Sequence, residues 1–173
     1  IKFEGDPLRI DRLSITIQSA SETKAYDGTP LTNDSIYVTG GELAEGAAKL
    51  YGGNVYANDG SAVTVSGGKI SGGTAGDYAG NIYLTTSGLC TLDITGGEIA
   101  GDVRINGAES VNVSGTAKIG IGAEGGLDMR NGTVLNIGQL KAGAKIAISR
   151  TGAFSAYNEK AADYIEYFRK TTL

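Results

Sequence analysis

Tyr56, Tyr83 and Arg104 are the side chains of this chain best suited to hold a ligand. Each sits between apolar neighbours: Val55 and Ala57, Ile82 and Leu84, Val103 and Ile105. In a strand, successive side chains point to opposite faces, so the middle residue turns outward when its neighbours turn inward. Asp128, between Leu127 and Met129, continues the row. Two stacked tyrosines beside an arginine form an amphipathic strip suited to a protein or a sugar. The competing reading is a tyrosine ladder that stabilises a parallel sheet, or that lies beneath the N-terminal segment.

Catalytic chemistry finds less support. An inverting glycosidase needs two carboxyl groups about 6.5–9.5 Å apart with a water between them. The outward candidates Asp93, Glu98, Asp102 and Asp128 fall on different strands or at corners, so they read as solvated surface carboxylates. The chain has no histidine, the usual proton shuttle near neutral pH and the commonest metal ligand. Its single cysteine, Cys90, precludes an internal disulfide and is expected to face inward with Leu92 and Ile94. No tandem GGxGxD calcium repeat and no phosphate-binding glycine loop occurs. We therefore expect a non-enzyme with no catalytic residues, cofactor or metal.

What must position the strip is a phrase that recurs five times. VTVSGGKISGG begins at Val63, LDITGGEIAGD at Leu92 and VNVSGTAKIGIG at Val111, with looser copies at Ile36 and Leu135. The marker residues Val38, Val65, Ile94, Val113 and Ile137 are separated by 27, 29, 19 and 24 positions. A period in the twenties with apolar residues alternating inside it predicts a β-solenoid. The expectation is all-β: a single-stranded-type parallel β-helix of four to five coils over residues 36–155, with three strands per coil.

The first strand of each coil reads Asn54–Ala57, Asn81–Leu84, Val103–Asn106 and Leu127–Arg130; the second carries the marker phrase. The third is short, around Ile70, Ile99, Ile119 and Ile146. Asn58-Asp59-Gly60, Ser87-Gly88, Asn106-Gly107 and Asn131-Gly132 supply corners after the first strand. Gly67-Gly68 and Gly96-Gly97 supply them between the second and third, because glycine and asparagine tolerate positive φ. Antiparallel hairpins at the Asn-Gly pairs are the competing topology. Residues 1–35 contain an alternating strand around Leu13–Ile17 and read as an N-terminal β segment or cap. Residues 156–173 read as a helical cap or tail: Ala161, Tyr164, Ile165 and Phe168 follow helical spacing over about 158–170.

The segment SASETKAYDGTPLTNDSIYVTGGELAEG resembles the YDG or MBG-type β-rich repeats of large bacterial surface proteins. GGNVYANDGSAVTVSGGKISGGTAGDYAGNIYLTTSG is similar to glycine-rich right-handed parallel β-helix segments of adhesin-like proteins of Gram-positive bacteria, and LKAGAKIAISRTGAFS to the way such segments finish. The resemblance covers residues 13–155 and implies a secreted or wall-attached surface protein, without catalytic residues to carry over. It departs from the YDG module in that the β-helix phrases begin almost at once.

Length and composition are compatible. With 173 residues, 40% of them hydrophobic, the chain can bury one continuous core. Net charge is −4 and the Lys and Arg residues are scattered, which argues against nucleic acid or an anionic membrane as partner. No apolar run is long enough to insert in a membrane. The chain starts at Ile1 without methionine, signal peptide or LPxTG motif, so a mature product or an excised piece is expected. The functional expectation is an extracellular, cell-surface stalk or adhesion unit whose partner is a host or bacterial surface protein or a glycan. A filament subunit associating end to end and a polysaccharide lyase or hydrolase are the alternatives. An ice-binding face is disfavoured, because the outward second-strand row Tyr37, Thr64, Asp93, Asn112 and Asn136 is no regular threonine array.

Overall fold

The computed structural model of the protein describes residues 17–19, 35–58, 60–85, 90–106, 110–121, 125–130, 133–150 and 166–170. These form a parallel β-solenoid of about four turns, preceded by β1 (Ile17–Ser19). In chain order come β2 (Ser35–Val38), β3 (Glu42–Ala44) and β4 (Ala47–Ala48), then β5 (Val55–Ala57), β6 (Ala62–Val65), β7 (Lys69–Ser71) and β8 (Thr74–Ala75). Next are β9 (Ile82–Leu84), β10 (Thr91–Ile94) and β11 (Glu98–Ile99), then β12 (Val103–Asn106), β13 (Ser110–Gly115) and β14 (Lys118–Ile119). The last set is β15 (Leu127–Arg130), β16 (Leu135–Leu140) and β17 (Lys145–Arg150), followed by β18 (Phe168–Lys170).

The marker strands stack in the order β2-β6-β10-β13-β16, all parallel, with β1 antiparallel on the outer edge of β2. Val38, Val65, Ile94, Val113 and Ile137 meet in register along this face and are buried. A second interior ladder runs Leu43, Ile70, Ile99, Ile119, Ile146, and a third Val55, Ile82, Val103, Leu127, Ile148. Repetition of one apolar type at one place per coil is what lets these ladders interlock into a single core. Cys90 belongs to that core and is fully buried, as its alternation with Leu92 and Ile94 requires.

The coils are not uniformly three-stranded. The first two carry an extra short pair, β4 against β8, in the ten-residue corners 45–54 and 72–81. The next corner, 100–102, is the bare turn, which accounts for the short spacing of 19 from Ile94 to Val113. In the last coil no corner intervenes: β17 runs straight from β14, where Ile119 meets Ile146, to β15, where Leu127 meets Ile148. It thereby joins two faces into one ten-stranded sheet.

The corner between second and third strands is built as its residues suggest. Gly68 and Gly97 both hold φ of +74°, a region that a β-carbon disfavours. Of the corners predicted after the first strand, positions 59, 87, 88, 107, 131 and 132 lie outside the described residues.

The helix predicted over 158–170 is corrected at its C-terminal end; residues 158–165 lie outside the described residues. Residues 168–170 are β18, parallel to β17, with Phe168 opposite Ile146. Phe168 and Tyr167 pack on the core, and an Arg169 guanidinium nitrogen donates to the carbonyl of Gly120. The physical reason is edge pairing. The open N–H and C=O groups of β17 bind a strand directly, satisfying more main-chain groups than a docked helix could.

Candidate functional site: a tyrosine–arginine column

Tyr56, Tyr83, Arg104 and Asp128 do stand in one row: Tyr56 opposite Tyr83 in β5 and β9, Tyr83 opposite Arg104 in β12, and Arg104 opposite Asp128 in β15. The row is not an open strip. Tyr83 is only 6% exposed although it points away from the interior, whereas Tyr56 is 44% exposed. What covers Tyr83 is a second tyrosine row from the long corners. Tyr51 and Tyr78 form an isolated parallel bridge and lay their rings between those of the strand tyrosines.

Taken in the order Tyr56, Tyr51, Tyr83, Tyr78, successive ring centroids lie 5.9, 5.0 and 5.8 Å apart. Within the two rows, Tyr51–Tyr78 and Tyr56–Tyr83 are 5.5 and 5.9 Å apart, so the four rings form a staggered double column. All five pairs are within 24° of coplanar. Offset stacking of this kind contributes about 0.5–1.5 kcal/mol per pair beyond burial of area. Most ring faces are therefore occupied by other rings, and the column offers solvent mainly ring edges and phenol hydroxyls.

The corners carry the cost of presenting Tyr51 and Tyr78. Ala79 lies at φ 34° with its side chain buried, in the left-handed region that costs a non-glycine residue roughly 1–2 kcal/mol. The next residue must be glycine, because a β-carbon at Gly80 would run into the carbonyl oxygen of Gly73. Asparagines then tie the corners down. Asn54 Oδ1 accepts from the Gly46 N–H at 2.8 Å, and its Nδ2 donates to the Ser71 carbonyl and to Asn81 Oδ1, both at 2.9 Å. Asn81 repeats the pattern, accepting from the Gly73 N–H and donating to the Ala100 carbonyl.

At its far end the column changes from aromatic to ionic. The guanidinium carbon of Arg104 lies 3.9 Å from the centroid of the Tyr78 ring. Its Nε is 3.6 Å from Asp128 Oδ2, close enough for attraction of charge but too far for a hydrogen bond. Asp128 is held instead by Arg130, whose Nε donates to both carboxylate oxygens at 3.2 Å and whose Nη2 lies 3.1 Å from Oδ2. The carboxylate is buried, with a side chain only 4% exposed, so Asp128 is an anchor for two arginines rather than an accessible acid.

The other acidic candidates lie elsewhere. Asp93 is on the β10 face, where its Oδ1 accepts from Asn112 Nδ2 at 2.5 Å; Asn112 in turn accepts from Asn136 at 2.7 Å. Glu98 is on the third-strand face opposite Lys69 and Lys118. Asp102 borders an open groove at the third-to-first corner with Asn81, Gly101 and Gly125. The outward row Tyr37, Thr64, Asp93, Asn112, Asn136 is in register as aligned, and it is an amide ladder at its end.

Tyr51 and Tyr78 are the residues that reading strand by strand misses. The signal is present in the sequence: Tyr51-Gly52-Gly53-Asn54-Val55-Tyr56 and Tyr78-Ala79-Gly80-Asn81-Ile82-Tyr83 repeat one pattern 27 residues apart. Compared with known proteins, the chain matches no family model, no curated protein and no solved structure.

Proposed function

We propose that this chain is a non-enzymatic, extracellular module of a bacterial surface protein, a stalk or adhesion unit that presents the tyrosine–arginine column to a ligand. The observation that carries the reading is the column itself. Two corners are lengthened to build it, and at Ala79 backbone strain is accepted where a bare turn such as 100–102 would close the coil. Tyr56 and Tyr78 remain 44% and 37% exposed, and Leu50 beside them 45%. Partly exposed aromatics rimmed by hydroxyls and a guanidinium favour a protein or glycan partner. The dispersal of Asp93, Glu98 and Asp102 over different faces, and the burial of Asp128, favour binding over hydrolysis.

The chain segments outside the solenoid act in this reading as caps. β1 occupies the outer edge of β2 and β18 that of β17, each on a different face. A second copy stacking end to end would have to displace one at each junction, which favours a terminated module over an open filament. The test is retention of ligands by the immobilised full chain from panels of glycans and cell-surface proteins, repeated with Tyr56→Ala and Tyr78→Ala. Loss of retention in both variants supports the reading. Retention that both variants leave unchanged, or none at all, would sink it.

A further inference from the structure

Arg104 is held in an unusual way for a mostly buried guanidinium. Its side chain is 17% exposed, yet it is fixed by a ring face and by the charge of Asp128, and its buried Nε–H has no hydrogen-bond partner. An arginine carries five N–H donors in a rigid fork, and most guanidiniums this enclosed are paired by hydrogen bonds. Arg130, 28% exposed, stands on the other side of the same carboxylate. Two cations thus share one anion, leaving the cluster with a net charge of +1 in a chain whose overall charge is −4. With the Nε edge turned in toward Asp128 and one face on Tyr78, the outer Nη edge is the part of Arg104 left to meet a ligand.

We propose that this end of the column takes the carboxylate of an acidic polysaccharide, a uronate-bearing glycan lying along the solenoid axis. The inference rests on the ligand-binding reading of the column and names its ligand. A carboxylate is planar and matches the guanidinium fork, and stacking on Tyr78 fixes the plane in advance, so little side-chain entropy is lost on binding. The sugar backbone would then run past phenol hydroxyls and ring edges of Tyr78, Tyr51 and Tyr56, with Tyr83 enclosed beneath them. These are donors and acceptors suited to sugar hydroxyls. An acidic peptide fits less well. The column lies on the outer face of β5, β9, β12 and β15, whose main chains pair with one another, so a peptide laid along the rings meets no free main-chain groups there. Among the described strands, the edge of β5 left unpaired lies only at the Tyr56 end, away from Arg104.

The experiment is calorimetric titration of the full chain with polygalacturonate oligomers, with the same oligomers fully methyl-esterified, and with polyglutamate, at low and physiological salt. We expect the free acid to bind at least about tenfold tighter than the ester, the effect of one charge-assisted hydrogen bond. Added salt should reduce that margin. Arg104→Gln, checked for a wild-type circular dichroism spectrum, should bring the free acid down to the level of the ester, and Arg104→Lys should restore little, since lysine lacks the fork. Equal binding of acid and ester by the unmutated chain overturns the carboxylate assignment. If Tyr56→Ala then weakens both alike, the column still binds glycans and only this proposal falls. Binding of neither oligomer removes both readings for glycans. Polyglutamate binding as tightly as the uronate would overturn the choice of a glycan.

Discussion

Asn54 donates a hydrogen bond across one full coil to Asn81, Nδ2 to Oδ1 at 2.9 Å, and each asparagine also closes the corner of its own coil. The pair therefore joins two levels of the solenoid where the chain turns outward to carry Tyr51 and Tyr78. Asn81 is nearly fully buried, and its removal takes a partner from the Asn54 amide, the Gly73 N–H and the Ala100 carbonyl at once. Asn81→Ala should cost at least about 1–3 kcal/mol, the usual penalty for leaving a buried polar group unsatisfied. Urea unfolding monitored by circular dichroism reads this directly. A variant as stable as the parent would mean that the asparagine ladder contributes nothing.

The column predicts an asymmetry between two tyrosines at equivalent positions. Tyr83 is enclosed by three rings and Tyr56 lies at an exposed end. Tyr83→Ala should destabilise by about 3–5 kcal/mol, the range for removing a buried aromatic, and Tyr56→Ala by a small fraction of that. Thermal unfolding of the two variants side by side separates them. Equal losses would mean that Tyr83 is not covered by Tyr51 and Tyr78.

Glu42 makes a prediction in pH. Ser71 Oγ donates to its Oε1 at 2.8 Å and Lys69 Nζ lies 3.3 Å away, both on the neighbouring strand β7. The hydrogen bond from Ser71 first, and then the ammonium of Lys69, lower the Glu42 pKa below its ordinary value of 4.5. A carboxylate with a depressed folded pKa stabilises the fold above its unfolded pKa, and that contribution is lost as pH falls through the folded value. NMR titration of the Glu42 carboxyl carbon should show a midpoint below 4.5 that moves up in Ser71→Ala. Because the pair is solvent-exposed, the effect on stability should be small and should shrink with salt. A midpoint unchanged by Ser71→Ala would show that the bond does not persist in solution.

Removing residues 166–173 should uncover the outer edge of β17 from Ile146 to Ile148, together with the apolar surface beneath Phe168. An exposed parallel edge beside apolar side chains is a template for association. The truncated chain should elute larger than a monomer in size-exclusion chromatography, increasingly so with concentration. A truncated chain that remains monomeric and equally stable would show that β18 does not cap the solenoid.

The interior of this protein was legible from its sequence because a solenoid core is nearly one-dimensional. Ile94 meets Val65 and Val113 since each marker residue falls at the same place in successive coils, and strand alternation alone decides that it faces inward. The same logic buries Cys90 and fixes the row Tyr56, Tyr83, Arg104, Asp128. What the sequence determined by itself was thus everything governed by a period of two within a strand and a repeat between coils. The tertiary structure decided the rest, where groups far from their register neighbours meet. Tyr83 is buried because corners of ten residues fold back over the first-strand face, a contact that no strand pattern encodes. Asp128 is an anchor because Arg130, in its own strand, curls back onto it. Residues 168–170 are a strand because the open edge of β17 offered main-chain partners. Helical spacing of apolar residues reports a preference of the isolated segment, and an unpaired edge outweighs it.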